Sequence, residues 1–173
     1  MRKAASMVVL VAAALAAGAG LWAYVTTDRS HDEAVAEMMR LRLPDVSGES
    51  RSLEQWRDGV LIVNFWATWC GPCRQEIPLL VRFQTKYASK GVQIVGISVD
   101  SADKVRQFAL EYRVGYPLLI GSFAVLDLSR RLGNTASALP YTVVFDRNGK
   151  VIRTRLGAIT EIELEKAIQM ASS

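Results

Sequence analysis

Cys70 and Cys73 are the chain's two cysteines, and only Gly71 and Pro72 separate them. A pair this close encloses almost no loop, so as a structural cross-link it would restrain the unfolded chain very little. The spacing suits chemistry instead. Thiol–disulfide exchange needs one thiolate that is accessible and poised near ambient pH, and a second thiol near enough to expel a bound partner. At a helix N-terminus, unsatisfied N–H groups and about half a positive charge would stabilise a thiolate, which makes Cys70 the candidate nucleophile. Cys73, one turn further on and shielded, is the candidate resolving thiol. Gly71 is expected to permit a tight turn, and Pro72 is tolerated in a first helical turn, where a missing N–H matters little.

Two thiols could also hold a metal. Closed zinc coordination needs four ligands, and beyond the pair the chain offers a single histidine, His31, so no metal is assigned. Cu(I) needs only two thiolates, with Met38, Met39 and Met170 as further soft donors, and stays as an alternative; the helical placement of those methionines argues for core packing. The exchange runs on the thiols themselves, so no cofactor is expected.

The pair must be held by what flanks it. Val60–Trp66 is a nearly continuous apolar, β-branched and aromatic run, the pattern of a strand buried on both faces. Residues 71–90 switch to helical spacing, with Ile77, Leu80, Val81 and Tyr87 on one stripe, Pro78 as a kink and Gly91 as the stop. A second buried strand follows over 93–99 and a helix over 103–112. The strand–helix–strand order predicts a parallel crossover. A short strand over 117–120, a helix over 124–132, and a hairpin of 141–145 with 150–156 around Asp146-Arg147-Asn148-Gly149 come next. A last helix, capped by Thr160 with Glu163, runs through Met170. The class is α/β, a mixed central sheet of four to five strands flanked by helices.

Ahead of this lies a different kind of sequence. Residues 4–25 carry no charge, and at about 1.5 Å per residue they reach roughly 33 Å, enough for one transmembrane helix. A cleaved signal ending at Ala17-Gly18-Ala19 is the competing reading, but the apolar run continues past it through Trp22 and Tyr24. Arg2 and Lys3 keep the N-terminus cytoplasmic under either reading, so the domain is exported. The expected division is a membrane anchor over 1–29, a short linker helix over 30–40 opened by the Ser30–Glu33 capping box, and a domain over 41–173. Leu43 to Ser52 reads as an extended segment or hairpin, and Ser52 to Gln55 as a second capping box. The charge of +4 is partly spent at the anchor, and no basic run interleaved with aromatics supports nucleic-acid binding. A monomer is the default.

The string Phe65-Trp66-Ala67-Thr68-Trp69-Cys70-Gly71-Pro72-Cys73, with Pro78 and the later Leu139-Pro140-Tyr141-Thr142, resembles the TlpA/ResA/DsbE branch of the thioredoxin superfamily over roughly residues 41–171. The resemblance implies a thioredoxin-like fold and a domain on the periplasmic or extracytoplasmic side of the inner (cytoplasmic) membrane. It implies reduction of disulfides in client proteins, apocytochrome c or a copper-delivery protein among them, with electrons from a DsbD- or CcdA-type membrane protein. Pro140 matches the family's cis-proline, which would bring the Leu139 backbone beside Cys70. Trp69, Leu139, Gly71 and Pro72 are then the candidate client contacts. Asn64 departs from soluble thioredoxins, which place an acid there. An amide accepts no proton near neutrality, so Asp100 and Glu76 are the candidate acceptors for Cys73, with helix capping the alternative role for Asp100. A disulfide donor or isomerase stays open as the opposite direction of the same chemistry. A peroxidase is disfavoured, because Ala67 stands where that branch has threonine.

Overall fold

The computed structural model describes residues 29–172, with positions 15, 17–19 and 22 before them. The expected membrane segment therefore lies almost wholly outside the described residues, and among these no helix is long and apolar enough to cross a membrane.

A helix over 29–40 (α1) leads into a small antiparallel hairpin of β1 (Arg42–Pro44) and β2 (Ser50–Ser52). The order continues with β3 (Val60–Trp66), α2 (Gly71–Tyr87), β4 (Val92–Ser98), α3 (Ala102–Tyr112), β5 (Leu118–Ile120), α4 (Phe123–Arg131), β6 (Tyr141–Phe145), β7 (Val151–Leu156) and α5 (Glu161–Ser172). The main sheet has five strands in the order β5-β4-β3-β6-β7. β3 runs parallel to β4 and antiparallel to β6, so the sheet is mixed, as expected.

β3 is buried at all seven positions, and its side chains alternate between two layers. Val60, Ile62 and Trp66 join the core formed with α2, α3 and α5, while Leu61, Val63 and Phe65 join the core formed with α1 and α4. Each such aliphatic or aromatic side chain contributes about 1.5–3 kcal/mol when fully buried. The Thr160–Glu163 capping box forms, with Thr160 N–H and Oγ1 donating to Glu163 Oε2 at 3.0 and 2.8 Å and Glu163 N–H donating to Thr160 Oγ1 at 3.3 Å.

Several expectations are corrected. Residues 30–40 are no linker: Ala34, Met38 and Met39 are buried in the sheet's second core layer, so α1 belongs to the domain. Ser30 does not open that helix, because residue 29 is already helical. Ser52 precedes a 3₁₀ turn over Leu53–Trp56 without capping it through its side chain; Gln55 Nε2 donates instead to the Ser52 carbonyl at 2.8 Å. Met170 is exposed, since the buried stripe of α5 is Leu164, Ala167, Ile168 and Ala171, which leaves it on the outer side. α2 continues through Pro78 as one helix.

One close backbone approach fixes where β3 and β4 begin. The Val60 N–H donates to the Gly91 carbonyl at 2.9 Å, and a Cβ on Gly59 would lie 2.2 Å from that same oxygen. Gly59→Ala is therefore expected to lower stability by about 1–3 kcal/mol in urea unfolding. Gly71→Ala, where a Cβ meets nothing within 4 Å, serves as the neutral control, and equal midpoints for the two variants would overturn the prediction.

Candidate active site

β3 ends at Trp66, and the chain turns through Ala67, Thr68 and Trp69, closed by a bond from the Cys70 N–H to the Ala67 carbonyl at 3.2 Å. α2 begins there. Cys70 is its N-cap residue, and its Sγ accepts the Cys73 N–H at 3.3 Å, as a helix start would offer a thiolate. The two cysteines form a disulfide with Cα atoms 5.3 Å apart. Cys73 is fully buried, and Cys70 is 6% exposed, less than an open nucleophile was expected to be, because the bond to Cys73 draws its Sγ toward the helix. An incoming sulfur can still approach only Cys70. Gly71 has no left-handed backbone conformation, so no tight turn requires it. What its missing side chain provides is open space above the disulfide.

A groove runs past Cys70. Trp69 and Pro72 form one wall, Phe123 and Leu126 of α4 with Leu139 the other, and no charged side chain lines it. Trp69 is 65% and Phe123 75% exposed. Trp66 faces inward instead, buried against Phe108 with ring centroids 4.9 Å apart. The Leu139–Pro140 peptide is cis, as the resemblance implied, and brings Leu139 to the groove. Neighbouring backbone groups are taken. Ala138 bonds through both its N–H and its carbonyl to the Asn134 side chain, at 3.1 and 3.0 Å, and the Pro140 carbonyl accepts the Gly157 N–H at 2.9 Å. Among the described residues, the Leu139 N–H and carbonyl have no partner. Asn134, itself fully buried, thus shapes the loop that carries Leu139. Sequence reasoning passed over both Asn134 and Phe123. A lone asparagine after the Gly133 helix stop reads as loop chemistry, and a helix-opening phenylalanine reads as core.

Behind the disulfide lies a buried polar cluster. Asn64 Nδ2 donates to Glu76 Oε1 at 2.7 Å and to Thr142 Oγ1 at 3.0 Å, and the Ile159 N–H donates to Glu76 Oε2 at 2.8 Å. Asn64, Thr142 and Glu76 are all buried. Glu76 follows Cys73 by three residues and so shares its face of α2. Burial pushes the Glu76 carboxyl up from 4.5 to about 7, against the lowering effect of the Ile159 N–H and Asn64 bonds. It is therefore poised to exchange a proton near neutrality.

Asp100 has a different environment. Burial raises its pKa, but a hydrogen bond from Thr68 Oγ1, the Ser101 N–H and the Lys104 ammonium outweigh this and hold it low. As an anchored anion it secures Thr68 in the turn before Cys70 and makes a poor proton acceptor. It does not cap α3 either, whose N-cap residue is Ser101. Met38 and Met39 lie in the layer across the sheet from the cysteines. Among the described residues no cluster of three or more His, Cys, Asp or Glu side chains could hold a metal ion.

The raised Glu76 pKa has a thermodynamic sign. Between about pH 4.5 and 7 the folded protein keeps a proton that the unfolded chain has released, so stability from this group is full below 4.5 and falls as pH rises toward 7, by about 3 kcal/mol in all. Urea unfolding of the disulfide form should show this fall, and Glu76→Gln should remove it; parallel pH profiles for the two proteins would count against the assignment.

Comparison with known proteins agrees with this geometry. The Redoxin family profile matches residues 29–169. Thioredoxin-like protein YneN of Bacillus subtilis (strain 168) is 33% identical over 132 residues, 74% of each chain. Thiol-disulfide oxidoreductase ResA of Bacillus anthracis is 27% identical over 162 residues, 92% of this chain and 90% of the relative. The crystal structure of a thiol:disulfide interchange protein of the thioredoxin family from Chlorobium tepidum TLS superposes with a TM-score of 0.70 at 27% identity, covering 77% of this chain and 93% of that one. With its disulfide at a helix N-terminus and its cis-proline loop alongside, the chain belongs to the Redoxin family, as a thiol–disulfide oxidoreductase of the TlpA/ResA/DsbE-like thioredoxin group.

Proposed function

We propose that this oxidoreductase works as a reductase of protein disulfides, monomeric, held by residues 4–25 as a single span in the cytoplasmic membrane with its domain on the extracytoplasmic, periplasmic side. The observation that carries the reading is the arrangement of Cys70 at the α2 N-cap, Cys73 buried behind it and Glu76 on the same helix face. The uncharged segment after Arg2 and Lys3 supports the anchor and its orientation.

In the dithiol form, the Cys70 thiolate attacks a client disulfide. The client S–S bond breaks, a Cys70–client S–S bond forms, and one client thiolate departs. Glu76, as carboxylate, takes the proton from Cys73. The Cys73 thiolate then attacks Cys70 Sγ, forming the intramolecular disulfide and releasing the second client thiolate. Two electrons pass from the dithiol to the client, and a DsbD- or CcdA-type membrane protein restores them. Trp69, Gly71 and Pro72 contact the client on one side of the groove. On the other, the unpaired Leu139 backbone binds its chain in strand fashion. Clients are disulfide-bearing proteins such as apocytochrome c or a copper-site assembly protein. The Gly-Pro dipeptide between the cysteines favours the reducing direction, nearer about −270 mV than about −120 mV.

Equilibration with glutathione should place the couple well below about −150 mV; a higher value would make the protein a disulfide donor. In intact cells, Cys73→Ala should accumulate mixed disulfides through Cys70 that Cys70→Ala cannot form, recovered with the membrane fraction and open to protease from outside. Capture of no partner, or a domain shielded from that protease, would overturn the client reading or the topology respectively. Glu76→Gln should slow client reduction about a hundredfold at neutral pH while leaving Cys70 alkylation intact.

A further inference from the structure

Three side-chain atoms in the described core are buried without a hydrogen-bond partner around one spot: Asn64 Oδ1, Trp66 Nε1 and Tyr116 OH. Asn64 pairs in register with Gly96 of β4, and Trp66, two residues along β3, points to the same face. Gly96 contributes no side chain there. A Cβ on it would meet Leu118 Cδ2 at 2.7 Å, Trp66 Nε1 at 2.9 Å and Tyr116 Cε2 at 3.4 Å. A Leu118 methyl, the indole N–H and the edge of the phenol ring thus share the space that a β4 side chain would fill, next to the amide that holds Glu76 at 2.7 Å.

Tyr116 is buried, and the mechanism above does not use it. A phenylalanine would fill the same volume without burying an unmatched hydroxyl, which carries a free-energy penalty. Burial, and then the charge on Glu76, raise the Tyr116 pKa, so the hydroxyl keeps its proton and stays a donor throughout the working range. It is a donor lacking an acceptor, within electrostatic reach of a carboxyl that changes charge.

We propose that Tyr116 is a positioning residue for Glu76: its hydroxyl stands unpaired while Glu76 is protonated and turns to donate to the carboxylate when Glu76 ionises, with the Trp66 indole N–H beside it. This deepens the reading of Glu76 as the acceptor of the Cys73 proton, and rests on it. Tyr116 stabilises the waiting carboxylate and releases it as the proton arrives from Cys73. Among the described residues, the charged groups nearest Tyr116 besides Glu76 are Asp45 and Arg51, which line a pocket with it and pair with each other at 3.3 Å. β3 and β6 contribute the neutral Asn64 and Thr142, the segment before α5 contributes the Ile159 N–H, and α2 itself contributes Cys73. The α3 and α5 side chains in this layer, such as Phe108 and Leu164, are apolar.

The test is the titration of the Glu76 carboxyl, followed by carbon NMR on the full chain in its disulfide form in detergent, with Glu76→Gln to identify the signal. Tyr116→Phe removes one unpartnered atom and should leave the unfolding midpoint equal or higher. Losing the donor disfavours the carboxylate, so the Glu76 midpoint should move to higher pH by about one unit, tenfold in the dissociation constant. A midpoint unmoved within about 0.2 unit, or a clear loss of stability marking a hydroxyl already bonded, would overturn the proposal. The pH profile of client reduction should shift with the carboxyl. A carboxyl that moves while that profile stays put would leave Tyr116 acting on Glu76 and remove Glu76 from the path of the Cys73 proton.

Discussion

Burial of β3 on both faces is the constraint from which the active site is built. Val60–Trp66 sits in the middle of the sheet, its backbone paired to β4 on one side and β6 on the other, so it can neither shift nor twist independently. A slip of one residue would turn every side chain to the opposite layer. Asn64 would then leave Glu76 and enter the apolar layer of α1 and α4. The same register that satisfies the core therefore aligns Asn64 with Thr142 and sets both beneath α2. Cys70 follows four residues after the strand ends, where the chain must turn back to start that helix.

The polar cluster shows how a carboxyl can be held between apolar layers. Soluble thioredoxins place the acid on the strand; here the strand carries an amide and the helix carries the acid. The amide donates, and the acid accepts from both Asn64 and the Ile159 N–H, so Glu76 links β3, α2 and the entry to α5. Neutral at low pH, the carboxyl avoids the large penalty of a buried charge, and near neutrality it can carry that charge only with these donors in place. Its neighbours thus set both the stability of this layer and its acidity.

Signals local in sequence were legible before the fold was known. The β3 run, the spacing of the cysteines and the Thr160–Glu163 capping box are each decided by neighbours within a few residues, and each appears where expected. The resemblance supplied the cis-proline. Contacts between distant segments were not legible. Asn134 matters because of Ala138 and of Ser129, whose Oγ accepts its Nδ2 at 3.0 Å, Phe123 because α4 begins beside Cys70, and Tyr116 because Gly96 on β4 leaves room. The boundary at residue 41 failed for a related reason: a short amphipathic helix after an apolar segment reads as a connector until Met38 and Met39 are seen against the sheet. Gly71 is the reverse case, a glycine whose use lies in what can approach it from outside.

The sheet's margins bear on how a client can be held. An unpaired edge strand is a template on which another chain can add, productively or as the first step of aggregation. At one margin, Asp45 forms a bridge to Leu119 of β5, which brings the β1–β2 hairpin alongside that edge. At the other, β7 carries the exposed Arg153 and the half-buried Arg155, the latter paired with Glu163 at 3.4 Å, and desolvating these charged groups opposes a new strand. Backbone pairing with a foreign polypeptide is thereby discouraged along both borders, while Leu139, without a partner among the described residues, presents its backbone beside the reactive sulfur. The clients of an exchange protein are disulfide-bearing chains, and any such chain with unpaired backbone can add to an open edge. Guarded borders let it touch them at one point, long enough for sulfur to exchange, without becoming the seed on which they accumulate.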